Sequence, residues 1–206
     1  MSETVQFYGD SISGNCYKLK LAALQLGIPF EWHEIDILAG ESRTPEFLAR
    51  NPNGKVPVME LPDGRVLTES NAILSYLADD SALDGRDRFE RATVLSWLCF
   101  EQYSHEPYIA TSRFIVRYLG SPEDRRADLD ARRAGGEKAL EVMDQHLATH
   151  EFFANDRYSI ADIALYAYTH VADEGGFDVS PYPHVVAWLA RVAAQPGHEP
   201  MVAASG

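Results

Sequence analysis

A hydroxyl, an amide and a thiol stand close together at Ser13, Asn15 and Cys16, with a phenol at Tyr8 just before them. They belong to the stretch FYGDSISGNCYK, residues 7–18. Val5, Phe7 and Tyr8 read as the end of a strand, and Gly9-Asp10-Ser11 and Ser13-Gly14-Asn15 are turn-forming residues. From Tyr17 onward Leu19, Leu21, Ala22, Leu24 and Leu26 recur at helical spacing. The polar cluster therefore sits where a first strand hands over to a first helix. A helix start carries unpaired N–H groups and a partial positive charge, so it suits an anion or a thiolate. Plainer roles exist for each group. Ser13 and Asn15 could serve only as caps, Tyr8 as a core tyrosine with a satisfied hydroxyl, and Cys16 as an inert buried thiol.

The elements that must hold this cluster follow from the chain's punctuation. Gly27-Ile28-Pro29 stops the first helix. Phe30–Ile37 alternates imperfectly and reads as a strand. Thr44-Pro45-Glu46 opens a short helix with Thr as cap and Pro at the first position. Asn51-Pro52-Asn53-Gly54 is a turn, Lys55–Leu61 a strand that starts irregularly at Pro57, Pro62-Asp63-Gly64-Arg65 a hairpin turn, and Val66-Leu67 a return strand. Thr68-Glu69-Ser70-Asn71 caps a helix over Ala72–Ala78. The order βαβα then ββα predicts a small α/β layer over residues 1–79.

The polar stretch 80–87 is the expected linker. Residues 88–206 contain no strand-like segment and are expected to form an all-helical domain. A long helical pattern over Phe89–Tyr118 is broken near Pro107. Ser121-Pro122-Glu123-Asp124 and Ser159-Ile160-Ala161-Asp162 have the form of capping boxes. The last helix is predicted over Pro181–Ala194.

Composition narrows the partners. The chain has 206 residues, 31 acidic against 18 basic, for a formal charge of −13. That balance argues against nucleic acid and anionic membrane surfaces as partners. No apolar run reaches membrane-spanning length, and the N-terminus lacks the form of a secretory signal. Two cysteines, Cys16 and Cys99, form no disulfide framework, which points to a reducing, cytoplasmic setting. The seven histidines show no ligand spacing, so no metal is expected.

Four motifs in fixed order give the chain a family resemblance over nearly its whole length. They are the Ser-bearing turn before the first helix, Asn51-Pro52-Asn53-Gly54-Lys55-Val56-Pro57, Glu69-Ser70, and Ser159-Ile160-Ala161-Asp162. Together they resemble the cytosolic glutathione transferases, and within them the bacterial Ser-type, theta-, zeta- or nu-like proteins. The resemblance implies a thioredoxin-like first domain and an all-helical second one. It implies an enzyme that uses glutathione as co-substrate and activates its thiolate to attack a small electrophile. Disulfide or peroxide reduction, and glutathione or ligand binding without catalysis, are the alternatives. A free thiol is mostly protonated at neutral pH, since its reference pKa is about 8.5, and only the thiolate is a strong nucleophile. A hydroxyl and a helix N-terminus both favour the charged form. Ser13 is the implied donor, with Asn15 second.

The same resemblance assigns further residues. Val56-Pro57 matches the family's cis-proline, with the Val56 backbone turned to the ligand. Glu69 and Ser70 hold the γ-glutamyl group. Lys55 and Arg43 reach the glycyl carboxylate. Tyr103, His105, Tyr108 and Phe114, near the Pro107 break, line the second-substrate site between the domains. A homodimer is implied as well. Ser159 and Asp162 belong to the fold rather than to catalysis.

Overall fold

A computed structural model describes residues 4–201, which divide into two compact units. The first opens with β1 (Val5–Gly9), α1 (Gly14–Leu26), β2 (Phe30–Glu34) and α2 (Pro45–Arg50). It continues with β3 (Val58–Glu60), β4 (Val66–Thr68) and α3 (Ser70–Ala78). The sheet order is β2-β1-β3-β4. β1 pairs parallel with β2 and antiparallel with β3, and β3 pairs antiparallel with β4. The parallel pair needs a crossover, which α1 supplies. This is the small α/β layer that the sequence predicts.

Alternation along β1 decides which groups face the core. Val5, Phe7 and Gly9 are buried, whereas Gln6 and Tyr8 point to the other face and stay half-exposed. On α1 the buried residues include Cys16, Tyr17, Leu19, Leu21, Ala22 and Ala23, and on α3 Ile73, Leu74, Leu77 and Ala78. Each fully buried leucine or isoleucine contributes about 1.5–3 kcal/mol. Gly27 ends α1 in the left-handed region at φ 65°, where a glycine is nearly free of strain. The hairpin turn at Asp63-Gly64 is closed by Leu61 N–H donating to Arg65 O at 2.8 Å.

β2 is shorter than its sequence pattern suggests. It ends at Glu34 rather than Ile37 because the Asp36 carboxylate accepts from the N–H groups of Leu38 and Ala39, at 2.9 and 2.8 Å, and bends the chain.

The second unit, 82–195, is all helical: α4 (Arg88–Phe100), α5 (Glu106–Arg113), α6 (Arg126–Leu147), α7 (Ile160–Thr169) and α8 (Pro183–Ala193). The break expected at Pro107 is a five-residue π-helical turn over Glu101–His105, with the proline in the first turn of α5, where its missing N–H leaves no bond unmade. A second π-turn, Phe114–Tyr118, ends α5. α7 is buried along its whole length and forms the centre of the unit. Asp162 and Ser159 close the expected capping box, and Asp162 also accepts from Trp188 Nε1 at 2.9 Å and Phe153 N at 3.1 Å.

Two expectations are corrected. Ser121 does not cap a helix: it sits at φ 52°, whereas an N-cap needs extended backbone, and α6 starts only at Arg126 after a 3-10 turn. The tail beyond Pro196, expected in the helical domain, clusters with the first unit instead. Tyr17 Oη donates to the Glu199 carbonyl at 2.6 Å, and Lys20 pairs with Glu199 at 3.3 Å. Residues 202–206 of the predicted second domain lie outside the described residues.

Candidate active site

The turn before α1 is built on Asp10. Its carboxylate accepts from Ile12 N at 3.0 Å and its carbonyl from Ser13 N at 3.0 Å. Ser13 is thereby held as the N-cap residue, with extended backbone at φ −79° and ψ 126°. Its carbonyl accepts from Tyr17 N at 2.9 Å. The side chain makes no capping bond; the hydroxyl instead meets the Cys16 thiol. Capping therefore does not account for the Ser13 hydroxyl.

Cys16 is fully buried. Desolvation, only partly offset by the Ser13 hydrogen bond, pushes its thiol up to about 12. A Cβ placed on Gly9 would come within 2.9 Å of the Cys16 sulfur, so glycine is what lets strand and thiol approach. Cys16 is a packing residue at neutral pH, not a nucleophile.

The start of α3 lies beside the start of α1. Ser70, the first residue of α3 and 6% exposed, donates from Oγ to Asn15 Oδ1 at 3.1 Å. Ser70 is thus inside the helix rather than its cap. The cap position belongs to Glu69, at φ 67° and ψ 113°, with no side-chain capping bond. A non-glycine residue held at positive φ costs of order 1–3 kcal/mol and persists only where its surroundings enforce it. The Glu69 side chain is exposed.

Lys18, the last residue of the stretch 7–18 and one given no role from its sequence, joins the two helix starts. It is completely buried, and its Nζ donates to Ser70 Oγ at 3.4 Å and Asn71 Oδ1 at 3.2 Å. One signal in the sequence could have found it: Lys18, Leu21, Ala22 and Gln25 share one helical stripe, so this lysine lies on an otherwise largely apolar face.

The loop before β3 is ordered by Asn51. Asn51 is buried, its carbonyl accepts from Gly54 N at 2.8 Å, and its amide donates to Lys55 O at 2.7 Å. Arg43 reaches the same loop and donates to Asn53 O at 3.0 Å. Gly54, at φ 63°, has no Cβ that would strike the Arg43 guanidinium. Arg43 and Lys55 are thus two cations of one loop cluster, both exposed. The Val56-Pro57 peptide is cis, with Val56 half-buried and Pro57 buried.

Tyr8 is engaged elsewhere. Its Oη donates to Glu60 Oε2 at 3.3 Å, the Arg50 guanidinium lies 4.5 Å over its ring, and His33 stacks on it at 4.6 Å. Burial and the Glu60 carboxylate raise its pKa above the ordinary phenol value despite Arg50. A phenol biased this way is a poor thiolate stabiliser.

The helical unit separates the residues expected to meet a second substrate. Tyr108 is half-buried over Gly135, whose lack of a Cβ makes room for the ring. Together with Phe100, Ser104, Lys138 and Val142 it lines a cavity of about 210 Å³. Phe114 is 37% exposed and stacks on Tyr118 at 5.0 Å. Tyr103 is 80% exposed. His105 belongs with none of these. It is fully buried, with its Nε2 at 2.9 Å from Thr169 Oγ1, so it is a core residue rather than a wall of an open site.

No group of three or more potential metal ligands occurs among the described residues. No helix among them is long and apolar enough to cross a membrane.

A thioredoxin-like α/β unit with two adjoining helix starts, followed in the chain by an all-helical unit, defines the fold class. Residues 12–80 match the glutathione S-transferase N-terminal domain and residues 97–196 the C-terminal domain. The chain belongs to the glutathione S-transferase family of enzymes. It is 55% identical to a glutathione S-transferase of Pseudomonas fluorescens of known crystal structure, covering 97% of this chain and 99% of that one, with a TM-score of 0.94. It is 31% identical to glutathione S-transferase 2 of Anopheles gambiae over 94% of this chain and 92% of that protein. A further family member from Pseudomonas fluorescens, crystallised with two glutathione bound, is 29% identical with a TM-score of 0.82, over 96% of this chain and 91% of that one.

Proposed function

We propose that this protein is a Ser-type glutathione transferase, in which Ser13 stabilises the glutathione thiolate for attack on a small electrophile. One observation carries the reading: Ser13 stands at the N-cap of α1 with a hydroxyl that does not cap the helix. Such a hydroxyl can exchange its contact with the neutral Cys16 thiol for the stronger, charge-assisted bond to a thiolate. The N–H groups of the first turn of α1 favour the same charge. Asn15 adds an amide next to Ser13.

Recognition of the peptide is divided along the first unit. The start of α3, with Ser70, takes the γ-glutamyl carboxylate as helix starts take anions, and Glu69 takes the amine. The Val56 backbone next to Pro57 pairs with the peptide as an added strand. Arg43 and Lys55 take the glycyl carboxylate, which gives an anionic ligand a locally positive place on a chain of net charge −13. The bound thiol loses its proton to solvent. The thiolate then forms the sulfur–carbon bond as the leaving group departs with its electron pair. Tyr108, Phe114 and Tyr103 are assigned to the electrophile; His105 is not.

The physiological reading is detoxification in the cytoplasm by a homodimer. Phe89 (79% exposed) and Leu95 (57%) supply an apolar outer surface on α4, as a partner copy requires. Calorimetric titration with glutathione and turnover of a model aryl halide test the function together. Tight binding with turnover is expected; binding without turnover of any model electrophile or disulfide overturns the enzymatic reading.

A further inference from the structure

We propose that Lys18 is a positioning residue for thiol activation. By donating to Ser70 Oγ it fixes where that hydroxyl's proton can go, and so couples occupation of the α3 start to the state of Asn15 at the α1 start. The inference rests on the glutathione reading above and extends it to a residue to which the motifs assign no role.

A serine hydroxyl has one proton and two lone pairs, whereas a lysine amino group in its protonated form only donates. The Lys18–Ser70 contact at 3.4 Å therefore occupies a lone pair of Ser70. The Ser70 proton points to Asn15 Oδ1 at 3.1 Å. A carboxylate arriving at the start of α3 is a better acceptor than a neutral amide oxygen, because the bond becomes charge-assisted. The proton turns to the carboxylate, and the Asn15 side chain loses its bond to Ser70. Asn15 is two residues from Ser13, at the place assigned to the thiol. Binding of the γ-glutamyl end thus changes the hydrogen bonding of a residue beside the sulfur.

Lys18 is suited to this role because two acceptors at the start of α3 hold it. It is 0% exposed, and its second bond, to Asn71 Oδ1 at 3.2 Å, ties it to the same helix turn as Ser70. Its neighbours on the stripe, Leu21 and Ala22, are also 0% exposed. A purely packing position there would be filled more cheaply by an apolar residue, since a buried amino group must have its donors used.

The test compares Lys18→Met, which keeps the stem and removes the donors, with Lys18→Arg. Two probes are titrated calorimetrically: glutathione, and cysteinylglycine, which lacks the γ-glutamyl group. The pH midpoint of thiolate absorbance is measured for each complex. Lys18→Met is expected to weaken glutathione about tenfold, leave cysteinylglycine within about twofold, and raise the thiolate midpoint with glutathione only. Lys18→Arg is expected to recover part of the loss. Equal weakening of both probes, or an unmoved midpoint, overturns the proposal and leaves Lys18 a structural residue. Should Lys18→Met not fold, the Ser70→Ala and Asn15→Ala pair decides. Effects on the thiolate midpoint that are not additive support the coupling, and additive effects overturn it. Absence of glutathione binding by the unaltered protein would instead sink the glutathione reading itself.

Discussion

Ser70 Oγ lies 3.1 Å from Asn15 Oδ1, so the first residue of α3 and the second residue of α1 share a hydrogen bond although 55 positions separate them. The relationship places two helix N-termini side by side, and both favour negative charge. An anion that spans them is stabilised at each end.

Ser13→Ala separates catalysis from capping. The Ser13 side chain makes no capping bond, so the melting temperature is expected to stay within about 2 °C, unlike the loss of about 1 kcal/mol that follows removal of a working cap. The proposed function requires kcat/KM to fall about 10- to 1,000-fold, in the range seen when one stabilising donor is removed. Steady-state kinetics beside a thermal melt check both parts. A large loss of stability with unchanged kcat/KM per folded molecule would return Ser13 to the role of cap.

Cys16→Ala is expected to retain transferase activity within about threefold. A thiol pushed up to about 12 is essentially all protonated at pH 7. Alkylation of the native protein with iodoacetamide at pH 7.5, read by peptide mass spectrometry, should label the exposed Cys99 and leave Cys16 unmodified. Rapid labelling of Cys16 would contradict its burial.

Glu69→Gly relieves a non-glycine residue at φ 67°. A gain of about 1 kcal/mol in denaturant unfolding is expected, because glycine populates positive φ without a Cβ clash. The same change removes the carboxylate assigned to the γ-glutamyl amine, so glutathione affinity should fall. Stability and affinity thus move in opposite directions. A simultaneous loss of both would mean that Glu69 stabilises the helix start.

Asp162→Ala should cost about 3–5 kcal/mol, since the buried carboxylate has donors from Ser159, Phe153 and Trp188 on it. Glutathione affinity per folded molecule should not change. Desolvation, the largest influence, raises the folded-state value to about 6, above the ordinary aspartate value of 3.8. The folded chain therefore binds the proton more tightly than the unfolded one. The stability linked to this group rises as pH falls from about 6 to about 4, by roughly 2–3 kcal/mol, and is flat on either side of that window. Urea midpoints of the native chain and Asp162→Asn between pH 4 and 7 should converge at the upper end. A difference that grows with pH would reverse the sign.

Much of the first unit is legible in the residues because its elements are short and its punctuation is strong. Gly27-Ile28-Pro29, Thr44-Pro45 and Asp63-Gly64 each force a local conformation that no distant contact can undo. The Ser159–Asp162 box is equally local. Ser121-Pro122-Glu123-Asp124 has the same form and does not cap, because Ser121 turns to φ 52° as the chain leaves the π-turn at Tyr118. A capping motif states which bonds are possible, and the path of the preceding chain decides whether the cap is extended. His105 shows the same limit: aromatic spacing near Pro107 marks a helix face without saying which face closes on Thr169.

The sequence by itself determined the order of elements, the two-part architecture and the family, because these rest on backbone propensities, periodicity and motifs read along the chain. Only the tertiary structure decided which polar groups work together. Ser13 is spared from capping, Cys16 is sealed in the core, Tyr8 is turned toward Arg50 and Glu60, and Lys18 is buried between two helix starts. Those outcomes depend on burial and on hydrogen-bond geometry between elements distant in the chain: α1 with α3, and β1 with α2 and β3. Such quantities arise only when residues far apart in the chain exclude water together.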